Sequence, residues 1–319
     1  QALYEDLFAA EGLPAATPLT LSNVRGTTEA SSFVVYLMQF RDTELRRRLP
    51  VAYPYCTTLC EDVPAWWLLK KKRTMYHIAE ADTRSVRTMM PFLLNPLRGA
   101  AALKALEPVF ADIRAYLLTV QPPAYPFPID RPRAERGRTI FERTCSRCHG
   151  TYGPDGHYPN KVVPLDEIGT DPTLARGFAP EPVAHYLESW FARERGPDGE
   201  PYHGLHGEGY QAPPLDGLWA TAPYFHNGST PTVYHVLNSR SRPRVFTRSF
   251  RGAPEDYDPE RLGWKITVLD GPPDAGLPPI ERRKVYDTNQ PGRGNGGHTF
   301  GDHLTEDQRR AVIEYLKTL

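Results

Sequence analysis

Methionine and cysteine are both scarce in this 319-residue chain, four of each. Their positions exclude more than their numbers do. Met38, Met75, Met89 and Met90 occupy the N-terminal part, and no methionine follows. The cysteines form two local pairs, Cys56 with Cys60 and Cys145 with Cys148. An excess of one charge is also missing. Thirty-eight basic residues stand against 38 acidic ones, so bulk electrostatics points neither to nucleic acid nor to an anionic membrane. No apolar run approaches the ~18 residues of a membrane span, and no secretory leader is recognisable. The sequence opens on Gln1 rather than Met, as a processed chain or a fragment would.

Proline is what the chain has in plenty. Thirty-three prolines are about twice the usual ~5%, which predicts much loop and short helices. They concentrate at one seam, "VQPPAYPFPIDRPR", which cannot be helical and favours an extended linker. A prior of ~150 residues per domain leans toward two units. The expected division is a helical N-terminal segment over 1–120, a linker over 121–133 and a second domain over 134–319. In the first, "TTEASSFVVYLMQFRDTELRRRLP" and "ALEPVFADIRAYLLTV" read as amphipathic helices, the latter burying Val109, Ile113, Tyr116 and Leu117. In the second, "RAERGRTIFERTC" is helical with Gly137, Phe141 and Cys145 on one face. Thr305 and Gln308 form a capping box for the last helix, whose apolar stripe is Val312, Tyr315, Leu316 and Leu319. Short strands are expected at "PRVFTRSF", "WKITVLD" and "RRKVYDT".

The chemistry concentrates in "RTCSRCHG", where Cys145, Cys148 and His149 have the order C-x-x-C-H. Two thiols at that spacing can add to the two haem vinyl groups as thioethers, leaving the adjacent His149 beneath the ring as proximal iron ligand. A zinc half-site is the competing reading, with His203 and His206 of "YHGLH" as its second pair. Cys56 and Cys60 have no following His; a disulfide, two thiols or a variant cofactor site all fit them, and they stay unassigned. With no methionine after the motif, His/Met ligation within that domain is excluded. His157, His185, His203, His206, His226, His235, His298 and His303 remain for the other face of the iron. His226, in "ATAPYFHNGSTPTVYHVL", and His298, in the glycine-flanked "RGNGGHTFGDHL", have unusual settings.

A Gly/Phe helix leading into the motif and the closing "IEYLKTL" helix resemble the cytochrome c fold, in which the first and last helices cross at a small residue. Gly137 would let the Tyr315 and Leu316 face approach closely. The expected fold class is mainly α, a cytochrome c-like haem domain with Pro/Gly-rich loops and short strands. Further, "PPLDGLWATAPYFHNGSTPTVYHVL" followed by "NGGHTFGDHLTEDQRRAVIEYLKTL" resembles the C-terminal haem domain of the di-haem cytochrome c family, which includes rubber oxygenases, bacterial cytochrome c peroxidases and the methylamine-dehydrogenase maturation enzyme. That resemblance implies a bis-histidine iron, with His298 opposite His149. It also implies that Trp219, Tyr224, His226 and Asn227 belong to a haem-packing loop. The family carries a reactive haem in a first domain with its own C-x-x-C-H, and residues 1–130 hold no such motif. The stretch "EDVPAWWLLKKKRTMYH" resembles the end of that domain. Its Trp66 and Trp67 read as core or interface residues or as an electron relay, and Lys70 to Arg73 as a solvated face or as a face that meets an acidic redox partner or haem propionates.

The expected function is therefore a c-type cytochrome with one covalent haem c, transferring electrons through a six-coordinate iron to a partner protein or a second haem domain. The alternative is part of a di-haem peroxidase or oxygenase whose reactive domain lies upstream, and a purely structural haem module is a third option. Haem attachment accompanies export, which implies a periplasmic or otherwise extracytoplasmic location.

Overall fold

Proline sets the length of almost every element. The computed structural model describes residues 30–51, 59–95, 97–202 and 208–319. Among these, three helices exceed ten residues: α2 (Ala100–Thr119), α3 (Arg131–Thr144) and α7 (Glu306–Leu316). Shorter ones include α1 (Ala30–Met38), α4 (Ser146–His149), α5 (Pro180–Glu188) and α6 (Val233–Leu237).

The expectation of a mainly α fold does not hold. Of the described residues 38% are helical and 12% lie in strands or bridges, with several small sheets. The cause is the composition. A ring that removes the N–H and clashes with the preceding turn keeps most segments from extending a helix, and they close backbone hydrogen bonds by short antiparallel pairing instead. Strand β1 (Thr74–Met75) pairs with β2 (Ala81–Asp82), and β3 (Val162–Pro164) with β4 (Gly209–Gln211). Strand β5 (Val245–Arg248) is flanked by β8 (Ile266–Val268) and β9 (Val285–Asp287), while β6 (Tyr257–Asp258) pairs with β7 (Gly263–Trp264). The runs expected as strands supply β5, β8 and β9, and they form one three-stranded sheet.

Two helical expectations change. The first apolar helix ends at Met38, because Arg41 is fully buried and spends its guanidinium on the carbonyls of Leu94, Leu45 and Asn95. Capping those carbonyls draws the chain away from the helix axis. Helix α2 forms, yet Val109, Ile113 and Tyr116 are 49%, 40% and 68% exposed. Its buried edge runs instead through Leu103, with Leu106 and Phe110 against the core of α1 and Leu117 against Leu69 and Met75. Several stripes on this helix satisfy a 3.6-residue period, and packing selected the neighbouring one.

The proline-rich segment is extended, and it is docked. The Trp219 indole donates to the Pro123 carbonyl (2.7 Å), and Tyr125 packs edge-on to that indole. Its extension ends at Asp130: Arg131 to Arg133, expected to be non-helical with the rest of the run, form the first turn of α3, where proline is tolerated, and Asp130 caps that turn by accepting the Arg133 amide (3.0 Å). The capping box at Thr305 and Gln308 starts α7. Helices α3 and α7 then cross with Gly137 directly against the Ala311 backbone, where a Cβ would overlap the carbonyl. The approach expected at Tyr315 and Leu316 thus centres one turn earlier, and Tyr315 packs on Phe141 at 5.2 Å. Phe141, Val312 and Leu316 form a core with Tyr224, Val233 and Leu262.

Because the crossing has no room for a side chain, Gly137→Val should cost at least about 3 kcal/mol, the upper range for overpacking. Chemical denaturation reads this directly, and a wild-type midpoint would show that the helices can separate without loss.

Candidate functional site

The end of α3 and the turn of α4 open onto a cavity of about 250 Å³. Cys145, Cys148 and His149 border it from one side, and His298 and Phe300 from the chain just before α7. Tyr210 to Leu215, the loop around Tyr224 to His226, and Val233, Val236 and Leu237 of α6 close further sides. The remaining wall comes from the N-terminal segment, including Asp62, Leu68, Lys72 and His77.

Across this space the rings of His149 and His298 stand with centroids 6.3 Å apart. His149 Nδ1 lies 2.9 Å from the Pro213 carbonyl. A carbonyl can only accept, so Nδ1 carries the proton and Nε2 keeps its lone pair. Burial lowers the His149 pKa, and His298 is pushed down to about 3 by burial, then by His149 and Arg242. Both rings are therefore neutral at pH 7, the form in which imidazole binds a metal. His298 Nδ1 is buried without a hydrogen-bond partner. Cys145 is pushed up to about 12 by burial and then by Cys148, so it is a protonated thiol rather than a reactive thiolate.

His298 has a positive φ of 45°, unusual outside glycine. Its amide donates to the Ile168 carbonyl (2.6 Å). The preceding Gly297, at φ 69°, lies so close to Gly169 and Thr170 that a Cβ would collide with their backbone. Arg242 secures the other side of this loop. Its guanidinium donates to the carbonyls of Asn295 (2.7 Å), Gly297 (2.7 Å) and His298 (3.1 Å), and to His235 (2.8 Å) and Val236 (3.2 Å) of α6. The rings of Phe225 and Phe300 flank His298 at 5.8 and 5.2 Å.

The other residues singled out in the sequence divide. Tyr224 and His226 border the cavity; Trp219 and Asn227 do not. The Tyr224 hydroxyl donates to the carbonyls of Leu218 and Leu262. His226 is stacked on Tyr210 at 3.9 Å and 10°, and His77 meets it edge-on. Asn227 holds the approach to His298 by donating to the carbonyls of Gly292 and Gly294. His157, His185, His235 and His303 do not border the cavity. His203, His206 and Cys56 lie outside the described residues. Cys60 is buried, with Sγ 3.5 Å from the Asn227 carbonyl. Trp67 donates to the Asp216 carbonyl (2.8 Å), while Trp66 is 43% exposed. The four methionines belong to or pack against cores elsewhere, and none borders the cavity. Sequence reasoning missed Arg242 and Tyr210, which stand in no motif; Lys72 belongs to the basic run Lys70 to Arg73, and His77 ends the stretch that resembles the close of a first haem domain.

Replacing Arg242 by Met should leave several carbonyls without a donor and cost about 3 kcal/mol. Amide exchange at residues 295–298 should quicken; wild-type protection there would show that other contacts hold the loop. A second expectation concerns acid. Burial, with Arg261 and Arg242, depresses His235 from 6.5 to about 4 in the folded state. Its contribution is intact above the unfolded pKa and is lost as pH falls through about 4, at roughly 1.4 kcal/mol per unit. His235→Asn should flatten the stability profile over that window in pH-dependent denaturation.

A family model described as RoxA-like, cytochrome c-like matches residues 209–247. That span contains the Tyr210 wall, the Tyr224 to Asn227 loop, α6 and Arg242. Two curated relatives come from Sinorhizobium fredii. "Uncharacterized protein y4iJ" is 29% identical over an alignment of 262 residues that covers 63% of this chain and 41% of that protein. "Uncharacterized protein y4iM" is 28% identical over 310 residues, 84% of this chain and 66% of that protein. The chain thus spans less than two thirds of either relative. The match supports a cytochrome c-like haem domain in this chain, and the prosthetic group such a domain implies is haem c.

Proposed function

We propose that this chain is a c-type cytochrome holding one haem covalently through Cys145 and Cys148, with His149 and His298 as its two axial ligands, and that it relays single electrons. The observation that carries the reading is the pair of neutral imidazoles facing each other across a cavity that both thiols border, with ring centroids 6.3 Å apart. Two imidazoles bound on opposite sides of one metal ion, at about 2.0–2.1 Å per bond, have ring centres roughly 6 Å apart.

Bound haem supplies a one-electron iron couple. The chain's own residues do the rest. Pro213 fixes the ring and tautomer of His149 through Nδ1–H. Arg242, Gly297 and the Ile168 carbonyl hold the His298 backbone. Phe141, Phe225, Phe300, Val312 and Leu316 present apolar surface and exclude water. Were His149 and His298 both to hold the iron, an oxygen substrate would have to displace one of these imidazoles, whereas outer-sphere electron transfer would require neither to move. We further infer an extracytoplasmic location, since covalent haem attachment accompanies export, and a redox protein or a second haem domain as partner. The second reading treats the chain as the electron reservoir of a larger haem peroxidase or oxygenase. Its support is that the relatives are substantially longer than the matched region.

Protein matured with haem-attachment machinery should retain one haem through acid–acetone extraction, and Cys145→Ala with Cys148→Ala should lose it. Replacement of His298 by Ala should convert a low-spin spectrum to high-spin and allow carbon monoxide to bind the ferrous form; an unchanged spectrum would remove His298 from the iron. In stopped-flow mixing, a small soluble mediator should oxidise the reduced protein quickly and hydrogen peroxide only slowly. Rapid, saturable peroxide consumption would favour the enzyme reading.

A further inference from the structure

Lys72 is the one member of the basic run that borders the cavity. Lys70 reaches Gln121 and Lys71 reaches Asp216, each at 2.6 Å, and both are outside the cavity lining. The Lys72 backbone is fixed: its amide donates to the Leu69 carbonyl, and its own carbonyl accepts the Thr83 hydroxyl (2.9 Å). Its ammonium has neither a hydrogen bond nor an ion pair with any described residue. Burial presses it toward the neutral form, to about 8, with Glu80 opposing. An ammonium that faces an apolar cavity without a hydrogen-bonded anion is unfavourable, and a carboxylate entering that cavity would complete it.

Haem brings the missing charge. It carries two propionates on the edge remote from its vinyl groups, and a carboxylate entering a largely apolar cavity needs a cation or strong donors. Arg147 is the other Lys or Arg bordering the cavity. It sits between the two cysteines, on the vinyl side, and is already paired with Glu167 at 2.6 Å. Glu80 is the acid that acts on Lys72, and no ion pair joins the two. Burial raises the Asp62 carboxyl well above the usual range and pushes Glu80 up to about 8.

We propose that Lys72 binds a haem propionate, so that the N-terminal segment, which has no attachment motif of its own, completes the site of the haem attached through Cys145 and Cys148. The proposal rests on the haem assignment above and is independent of which residue binds the iron opposite His149.

The test uses the full chain, matured with haem, as wild type, Lys72→Met, Lys72→Gln and Lys72→Arg. Haem content and the low-spin spectrum are read first. If the wild type lacks covalent haem, both readings are overturned. If it holds haem without a bis-imidazole spectrum, only the ligand assignment fails, and Lys72 is still read by the next two measurements. Resonance Raman should show the propionate-bending band displaced in Lys72→Met and Lys72→Gln and restored in Lys72→Arg. Losing the cation should also ease oxidation, shifting the ferric–ferrous equilibrium about tenfold, which is about 59 mV downward for one electron. Lys72→Gln keeps a polar end in the cavity and carries the test if Lys72→Met does not accumulate. A wild-type Raman band and potential in the neutral variants would overturn the proposal.

Discussion

The backbone contact between Gly137 of α3 and Ala311 of α7 is the constraint on which the rest of the site depends. It locks two helices from opposite ends of the domain side by side and fixes the direction in which α3 ends. Phe141 then meets Val312, Tyr315 and Leu316 in one core. Four residues beyond Phe141 the chain delivers Cys145, Cys148 and His149 to the edge of the cavity. A side chain at position 137 would push the helices apart and carry the motif with it.

The opposite wall is built on a different principle. No long helix holds His298; it is held by backbone hydrogen bonds between loops, with two successive residues at positive φ. Such conformations cost free energy and persist only where their surroundings over-determine them. Here the close approach of Gly297 to Gly169, the Arg242 guanidinium and the Asn227 amide do so. Proline-rich sequence suits this design. Where helices are cut short, carbonyls are left over, and buried Arg and Asn side chains collect them, as Arg41 does around Leu94 and Asn95.

The N-terminal segment is part of the same construction. The Gln211 amide donates to the His77 carbonyl (2.7 Å), and the Asp62 amide to the His226 carbonyl (2.7 Å), stitching both to the cavity wall. Phe191, from the C-terminal side of the proline-rich segment, sits in the core of α1. Side chains from both sides of that segment therefore share cores, and the cavity is enclosed only when both are present.

What the sequence determined by itself is local. The C-x-x-C-H motif after a Gly/Phe helix, the capping box at Thr305, the extended proline-rich stretch before Arg131 and the three strand runs follow from rules that reach only a few residues along the chain, and the structure contains each of them. The mainly α expectation failed because helix-compatible stretches were judged singly, while prolines between them left sheet pairing as the remaining way to satisfy the backbone. Tertiary structure decided which stripe of α2 is buried, since propensity cannot distinguish adjacent stripes on a helix with several apolar faces. It alone brought Arg242, Tyr210 and His77 to the site and selected Lys72 from its basic run. Those residues meet His298 or the cavity through loop packing between segments far apart in the chain, and a contact at such separation leaves no periodicity or spacing in the sequence from which it could be read.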